Sequence, residues 1–166
     1  MLIFDLEADN LLTKVTTIHC LVIHDTEDET TTIYNDIEEP ISRGVTYLSD
    51  AKCICGHNIV GYDIPVLKKL FGFFDPQGEV VDTLLLSKLF HPDLLKKDAN
   101  SKLDKKLWGK HSLKAWGHRL GEYKGDFGEE TDWKEWSQEM QDYCVQDVVV
   151  TTKLCNHFAP YLNGSD

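Results

Sequence analysis

The chain has 166 residues, of which 42% are hydrophobic and 27% are charged, values typical of one folded domain. They exclude a chain that is disordered throughout, and the longest apolar runs are far shorter than the roughly 18 residues that a membrane span requires. The net charge of −11 excludes a uniformly basic surface, although nucleic-acid binding depends on local patches.

Two features favour a cytoplasmic protein. The first residues lack the basic leader and the small-residue cleavage site of a secretory signal, so we expect no secretory signal in this sequence. The five cysteines are an odd number, which favours reduced thiols over a disulfide framework. We therefore expect no membrane partner and a cytoplasmic location, the host cell cytoplasm if a phage encodes the protein.

The N-terminal half reads as strands followed by a strand–helix alternation. Leu2–Leu6, Thr16–His24 and Thr30–Tyr34 are rich in apolar and β-branched residues and predict an antiparallel meander. The elements predicted next are a helix at Ile41–Leu48, a strand at Lys52–Gly56, a helix at Tyr62–Phe71, a strand at Val80–Asp82 and a helix at Thr83–Phe90.

The C-terminal half reads as helices. Residues 91–111 predict a polar, mobile insertion without regular structure, followed by helices at Ser112–Leu120 and Ser137–Phe158. No linker divides the chain, so residues 1–166 are expected to form a single domain. The fold class is α/β, with a mixed five-stranded sheet flanked by helices.

Nine of the seventeen basic residues lie between Lys96 and Lys124, against three acidic ones. This basic segment either contacts a polyanion or is a solvated, lysine-rich loop. Four tryptophans likewise either stack on bases or pack in the core: Trp108, Trp116, Trp133 and Trp136.

Three acidic motifs carry the candidate chemistry. Asp5 and Glu7 are two residues apart in a strand, so their carboxylates lie on one face, and they either bind a cation or are solvated at the strand end. Asp63 follows a predicted strand and is either a ligand or an acid favoured by a helix N-terminus. Tyr143 and Asp147 lie one turn apart on one helical face, and they either belong to a functional site or are two residues of the solvent-exposed surface.

Together these motifs supply four carboxylates and a phenol. Hard divalent cations prefer oxygen ligands, and two neighbouring metals need three or four carboxylates. We therefore expect two divalent cations, Mg²⁺ or Mn²⁺, provided that these distant segments meet in space.

The same residues resemble a known family. Asp-x-Glu at Asp5, Asn-x-x-x-Tyr-Asp ending at Asp63 and Tyr-x-x-x-Asp ending at Asp147 are similar to the motifs of the DEDDy 3′–5′ exonucleases, which have a ribonuclease-H-like fold. Longer stretches beginning at Val81, His111 and Tyr143 resemble the proofreading domain of podovirus-type family A DNA polymerases, and the resemblance spans nearly the whole chain.

The resemblance implies a role for each acid. Asp5, Glu7 and Asp147 are expected to hold one metal, and Asp5 to bridge to a second, which Asp63 helps to hold. Tyr143 is expected to orient the attacking water. The expected substrate-binding residues are Leu6, Ala8, Leu11, His57 and Asn58, with Leu11 stacking on terminal bases.

The expected activity is metal-dependent 3′–5′ hydrolysis of single-stranded DNA ends, releasing nucleoside monophosphates, as in proofreading during bacteriophage DNA replication. Two alternatives stay open: an exoribonuclease on the same fold, and a catalytically silent assembly module of a split DNA polymerase. A separate polymerase subunit is therefore a candidate partner. Ala8 departs from the family pattern, because many cellular members have threonine there.

Overall fold

The computed structural model describes residues 1–122 and 132–163. Within them the strands are β1 (Leu2–Ala8), β2 (Ile18–Asp25), β3 (Thr30–Tyr34), β4 (Cys53–Gly56) and β5 (Glu79–Asp82). The helices are α1 (Ile41–Asp50), α2 (Ile64–Leu70), α3 (Thr83–Phe90), α4 (Leu94–Ala99), α5 (Leu113–Arg119) and α6 (Gln138–Leu162).

The five strands form one mixed sheet in the order β3-β2-β1-β4-β5. β1 pairs antiparallel with β2, and β2 pairs antiparallel with β3, which confirms the predicted meander. β4 joins β1 in parallel and β5 joins β4 in parallel, as the strand–helix alternation predicts. The predicted α/β class with a mixed five-stranded sheet is confirmed.

The alternation of side chains along β1 divides the core into two layers. Phe4 and Leu6 pack with α1 and α2 on one face of the sheet, whereas Ile3 packs with Cys144 and Val148 of α6 on the other. Because side chains two residues apart share a face, Asp5 and Glu7 lie on the α6 side of the sheet.

A tight turn after β4 positions the middle acidic motif. A Cβ atom on Gly56 would lie 2.2 Å from Ile59 and 3.0 Å from the Phe4 carbonyl oxygen, so this approach to β1 requires glycine. Asn58 has a left-handed backbone (φ 61°), and its N–H donates to the Asp82 carboxylate over 2.8 Å. Asp82 also caps α3 by accepting from the Leu84 N–H, and so serves the fold.

Two predicted segments differ from the structure. The helix predicted at Tyr62–Phe71 begins as one π-helical turn, Ile59–Asp63, before α2 starts. Residues 91–111, predicted as a polar, mobile insertion with no clear period, contain α4 and a 3₁₀ turn at Lys105–Leu107, which no local periodicity predicts. The physical reason is a buried ion pair: the Arg119 side chain donates twice to the Asp98 carboxylate, at 2.8 and 3.0 Å.

Across residues 1–122 and 132–163, the structure contains no helix with both the length and the apolar character needed to cross a bilayer.

Candidate active site

A cleft of about 500 Å³ opens where the end of β1, the π-helical turn and the first turns of α6 meet. It gathers all five residues predicted to be catalytic, which come from three distant segments of the chain: Asp5, Glu7, Asp63, Tyr143 and Asp147. The folded chain therefore brings together the set that the motifs predicted.

The two acids of β1 lie side by side beneath α6. One carboxylate oxygen of Asp5, one of Glu7 and the Cys144 sulfur all lie within 4.8 Å of one another. Both acidic side chains are half-buried, so water screens their mutual repulsion only in part. This pair is therefore an electrostatically unfavourable arrangement that a cation would relieve.

Asp63 is the most deeply enclosed acid of the cleft. Burial raises the pKa of Asp63 well above its ordinary value; the backbone N–H of Leu6 opposes this by donating to the carboxylate, and the charge of Asp147 reinforces it. Among the residues that the structure describes, no group hydrogen-bonds to Asp63 Oδ2. A buried carboxylate oxygen without a donor is an unsatisfied acceptor within the cleft.

The start of α6 fixes Tyr143 and Asp147. Ser137 caps the helix by accepting from the Met140 N–H. Gln141 Oε1 accepts from Asn35 Nδ2 at 2.9 Å and from Trp136 Nε1 at 3.2 Å, which fastens the first turn of α6 to the end of β3. Tyr143 and Asp147, one turn apart on α6, both line the cleft.

Cys144 belongs to the support of the site. Its buried thiol donates to the Asp5 backbone carbonyl at 3.4 Å and to Asp5 Oδ2 at 3.5 Å. Burial raises the pKa of Cys144 well above its ordinary value, so the thiol stays protonated. A protonated thiol donates a hydrogen bond and does not compete as a metal ligand.

Four of the five predicted substrate-binding residues line the cleft: Leu6, Ala8, Leu11 and Asn58. Leu11 is 73% exposed, a large apolar side chain presented to solvent at the rim. Such a side chain offers a surface on which a base can pack.

His57 is the exception, because it does not line the cleft. Its Nδ1 lies 2.8 Å from Thr83 Oγ1, and its Nε2 lies 2.9 Å from the His111 carbonyl oxygen. Both ring nitrogens therefore tie the turn after β4 to α3 and to the loop before α5. The resemblance implied a substrate contact for His57, but the two hydrogen-bond contacts of its ring hold the side chain outside the cleft lining.

Four lining residues were not among the predicted site residues, although one of them, Trp133, was a candidate for stacking on bases: Asp9, Asn10, Tyr62 and Trp133. Tyr62 donates its hydroxyl to the Asn10 carbonyl oxygen at 2.5 Å, bridging two walls of the cleft. Its place directly before Asp63 in the motif was the available signal. For Trp133 no local pattern exists, because a long-range contact from His19 to the Trp133 carbonyl oxygen places it.

Asp9 shapes the loop that follows β1. Burial raises its pKa, but hydrogen bonds from the Thr16 side chain and from the Thr16 and Thr17 backbone N–H groups outweigh this and lower it to about 2. Asp9 is thus an anion satisfied by hydrogen bonds.

The residues of the cleft fit a divalent cation. The donor set consists of carboxylate and phenol oxygens, the ligands that hard cations prefer. The unsatisfied Asp63 Oδ2 and the close Asp5–Glu7 pair both call for positive charge. The described residues that line the cleft include no lysine or arginine to supply it.

Comparison with known proteins identifies the family. The family model of the RNase H superfamily matches residues 2–159. The DNA-directed DNA polymerases of Enterobacteria phage T3 and Escherichia phage T7 are 36% and 34% identical to the chain over aligned lengths of 207 residues. These alignments cover all of this chain but only 28% of each polymerase.

Solved structures share the fold. An apo form of a nuclease superposes with a TM-score of 0.68 at 19% identity, covering 99% of this chain and 74% of the other. The zinc-bound E. coli ExoI–ssDNA complex gives 0.63 at 15% identity, with 98% and 41% covered. E. coli RNase D, an exoribonuclease involved in structured RNA processing, gives 0.58 at 15%, with 96% and 41% covered.

Exonucleases of this fold use divalent metal ions, in agreement with the chemistry of the donor set. The predicted resemblance to ribonuclease-H-like exonucleases is confirmed by the family model and by the polymerase relatives. The chain belongs to the RNase H superfamily.

Proposed function

We propose that this chain is a metal-dependent 3′–5′ exonuclease that hydrolyses the terminal phosphodiester bond of single-stranded DNA and releases nucleoside monophosphates. The observation that carries the proposal is the convergence of four carboxylates and the Tyr143 phenol in one cleft with an exposed leucine at its rim. A structural cluster of acids would be neutralised by basic side chains, and the cleft lining has none among the described residues.

The acids would hold two divalent cations. Asp5, Glu7 and Asp147 would hold one, and Asp5 would share the second with Asp63. When bound, the cations supply positive charge to the phosphate and to the leaving oxygen, and they lower the pKa of a coordinated water.

The remaining residues position the reactants. The Tyr143 hydroxyl accepts a hydrogen bond from the attacking water and so aligns it with the phosphorus atom. Leu11 packs against the terminal base, and Asn58 lies on the opposite wall beside Tyr62. Cys144 holds the Asp5 carboxylate in place from below.

Single-stranded DNA is the proposed substrate because the relatives at 34–36% identity are DNA polymerases and a fold neighbour was solved with single-stranded DNA. The chain spans 28% of the length of those polymerases, and a polymerase subunit is the proposed protein partner because both relatives are DNA polymerases. The proposed location is the cytoplasm, which for a phage protein is that of the host.

The test uses 5′-labelled single strands of DNA and of RNA with one sequence, incubated with Mg²⁺ or Mn²⁺ and with EDTA as the metal-free control. We expect a ladder of DNA that shortens from the 3′ end, and no products in EDTA. A strand labelled at its 3′ end should release a labelled mononucleotide first. Shortening of RNA alone would support the exoribonuclease alternative, and intact strands of both kinds would support the silent module.

A further inference from the structure

A second cavity, of about 660 Å³, lies at the opposite end of α6 from the cleft. We call it the aromatic–basic cavity and define it by six of its lining residues: His91, Lys97, Lys102, Trp116, Arg119 and Tyr161. Tyr161 follows Asp147 by fourteen residues along α6, so at 1.5 Å per residue it lies about 21 Å away. The cleft and the aromatic–basic cavity are therefore separate sites.

One wall of this cavity is aromatic. The His91 ring centroid lies 5.4 Å from that of Trp116 and 5.6 Å from that of Tyr161, so the rings form a continuous cluster. Tyr161 is 45% exposed and presents its ring at the opening. An exposed aromatic face next to solvent is the kind of surface on which a nucleobase stacks.

Next to this wall lies a buried guanidinium group, that of Arg119, whose Cζ is 4.8 Å from the centroid of the Trp116 ring. Arg119 donates to both carboxylate oxygens of Asp98 through Nε and Nη2, and its side chain is 11% exposed. Asp98 Oδ2 also accepts from the Gly109 N–H. Within the described ranges, Arg119 Nη1 is buried and has no hydrogen-bond partner. Asp98 is thus satisfied while one donor of its partner is not.

His91 adds a second unsatisfied polar atom. Its Nε2 lies 2.8 Å from His157 Nε2, whereas its buried Nδ1 has no partner among residues 1–122 and 132–163. When His157 donates across this contact, the proton of His91 is on Nδ1, which is then a donor. Arg119 Nη1 is a donor, and with this tautomer His91 Nδ1 is a second one, so an anionic or carbonyl group would satisfy both.

The rim of the cavity belongs to the basic segment of the sequence. Lys97 and Lys102 are both exposed and line it, while Lys106 and Lys110 lie on the same segment without lining it. Lys124, the last residue of the segment, lies outside the described residues. The segment therefore offers one pair of exposed lysines at the cavity and a second exposed pair that does not line it.

We propose that the aromatic–basic cavity is a noncatalytic binding site for a nucleotide, with the base against Tyr161 and the phosphate near Lys97, Lys102 and Arg119. Charge-assisted hydrogen bonds to phosphate suit both guanidinium and ammonium groups. The choice of a nucleotide over another aromatic anion rests on the proposed function, which releases nucleotides and handles strands that contain them.

The test measures equilibrium binding of dTMP to the full chain in EDTA by calorimetry, with thymidine and inorganic phosphate as partial ligands. We expect dTMP to bind at least about tenfold more tightly than either, because base and phosphate contacts add. Equal affinity for inorganic phosphate and dTMP would overturn the proposal, since the base would then not be recognised.

Matched double variants locate the site. Lys97→Ser with Lys102→Ser should weaken dTMP binding by about tenfold or more, whereas Lys106→Ser with Lys110→Ser, which removes the same charge, should change it by less than about twofold. If both double variants weakened dTMP binding equally, binding would depend on general surface charge, and the proposal that the cavity is the site would be overturned. Arg119 is left intact, because its removal would bury the Asp98 carboxylate without a partner.

Two further variants separate this site from the cleft. Tyr161→Ala should weaken dTMP binding but not phosphate binding, with thermal unfolding confirming that the variant is folded. Asp5→Ala should leave dTMP binding in EDTA unchanged. Tighter binding in this variant, which lacks one carboxylate that repels the phosphate, would place the nucleotide in the cleft and overturn the proposal. Because no cleavage is measured, a failure of the proposed exonuclease activity does not affect this result.

An oligothymidylate competitor distinguishes the two sources of the nucleotide. Displacement of dTMP by the strand would support capture of a strand at this site. Binding of dTMP that the strand cannot displace would support a site for the free mononucleotide.

Discussion

Two aspartates with little solvent exposure, Asp63 in the cleft and Asp98 beneath the aromatic–basic cavity, show opposite electrostatics, and Asp63 is the more deeply enclosed of the two. Their residues are 5% and 4% exposed. Burial raises the pKa of Asp98, but the hydrogen bonds from Arg119 and Gly109 outweigh it, so that the pKa is lowered. Burial raises the pKa of Asp63 well above its ordinary value, and the neighbouring Asp147 adds to the effect.

The difference shows what each region is built for. Where a buried carboxylate organises the chain, the fold supplies an arginine and a backbone N–H. In the cleft the Leu6 backbone N–H donates to Asp63, but the described lining supplies carboxylates and no basic side chain, an arrangement that is unfavourable until a cation from solution enters. The fold pairs Asp98 with a basic side chain but provides none for Asp63 among the described residues. The cleft around Asp63 is therefore suited to bind cations.

The largest expected effect is on cleavage. Asp5→Ala or Asp147→Ala should lower the rate by on the order of a thousandfold or more, because the charge that develops on the phosphate loses its stabilisation. Single-turnover cleavage of a 5′-labelled strand in Mg²⁺ measures this loss.

The matched control for this loss is Asp142→Ala, an exposed acid on the same helix, which should cleave at the parent rate. The thermal unfolding temperature of Asp5→Ala in EDTA should be unchanged or higher, since one repelling charge is gone. Near-full activity of Asp5→Ala would contradict the two-metal assignment.

Substitution of the two buried aspartates should change the free energy of unfolding in different ways. Asp98→Ala should lower the free energy of unfolding by about 3–5 kcal/mol, because Arg119 would stay buried without its partner. In EDTA, Asp63→Ala should leave that free energy unchanged or raise it. Urea titrations of both variants test the contrast.

The control for these titrations is Asp93→Ala, which removes only an exposed pair with Lys97 and should cost less than about 1 kcal/mol. Similar destabilisation by Asp98→Ala and Asp63→Ala would show that both aspartates serve the fold.

Tyr143→Phe should have an intermediate effect on catalysis. Removing a hydroxyl that orients the attacking water should slow cleavage by roughly ten- to thousandfold while leaving the unfolding temperature unchanged. The measurement compares single-turnover rates at saturating strand. An unchanged rate would assign Tyr143 to packing alone.

The smallest expected effect concerns Asp9, which is an anion satisfied by hydrogen bonds. Its pKa is lowered from 3.8 to about 2, so its contribution to stability is present above pH 4 and is lost as the pH falls through 2. Asp9→Asn should therefore lower the free energy of unfolding at pH 7 by less than about 1 kcal/mol, and by steadily less as the pH falls from 4 to below 2. A difference that does not shrink over this range would show that the amide disturbs the loop itself.

Local geometry explains why much of the fold and site could be predicted from the sequence. Alternation along a strand puts Asp5 and Glu7 on one face, and the helical repeat puts Tyr143 and Asp147 on another. Strand and helix bounds followed from apolar periodicity within a few residues, as at Thr30–Tyr34 and Thr83–Phe90. These features depend on neighbours along the chain, so the sequence by itself determined them.

Contacts between distant residues were decided only by the tertiary structure. Asp98 and Arg119 are twenty-one residues apart, and no sequence periodicity predicts their ion pair. The sequence of residues 91–111 therefore predicted a polar, mobile insertion. His57 was predicted to line the cleft, but its ring nitrogens instead contact Thr83 and the carbonyl oxygen of residue 111. The physical reason is that burial, and with it the pKa of Asp63 or Asp98, depends on which segments pack together.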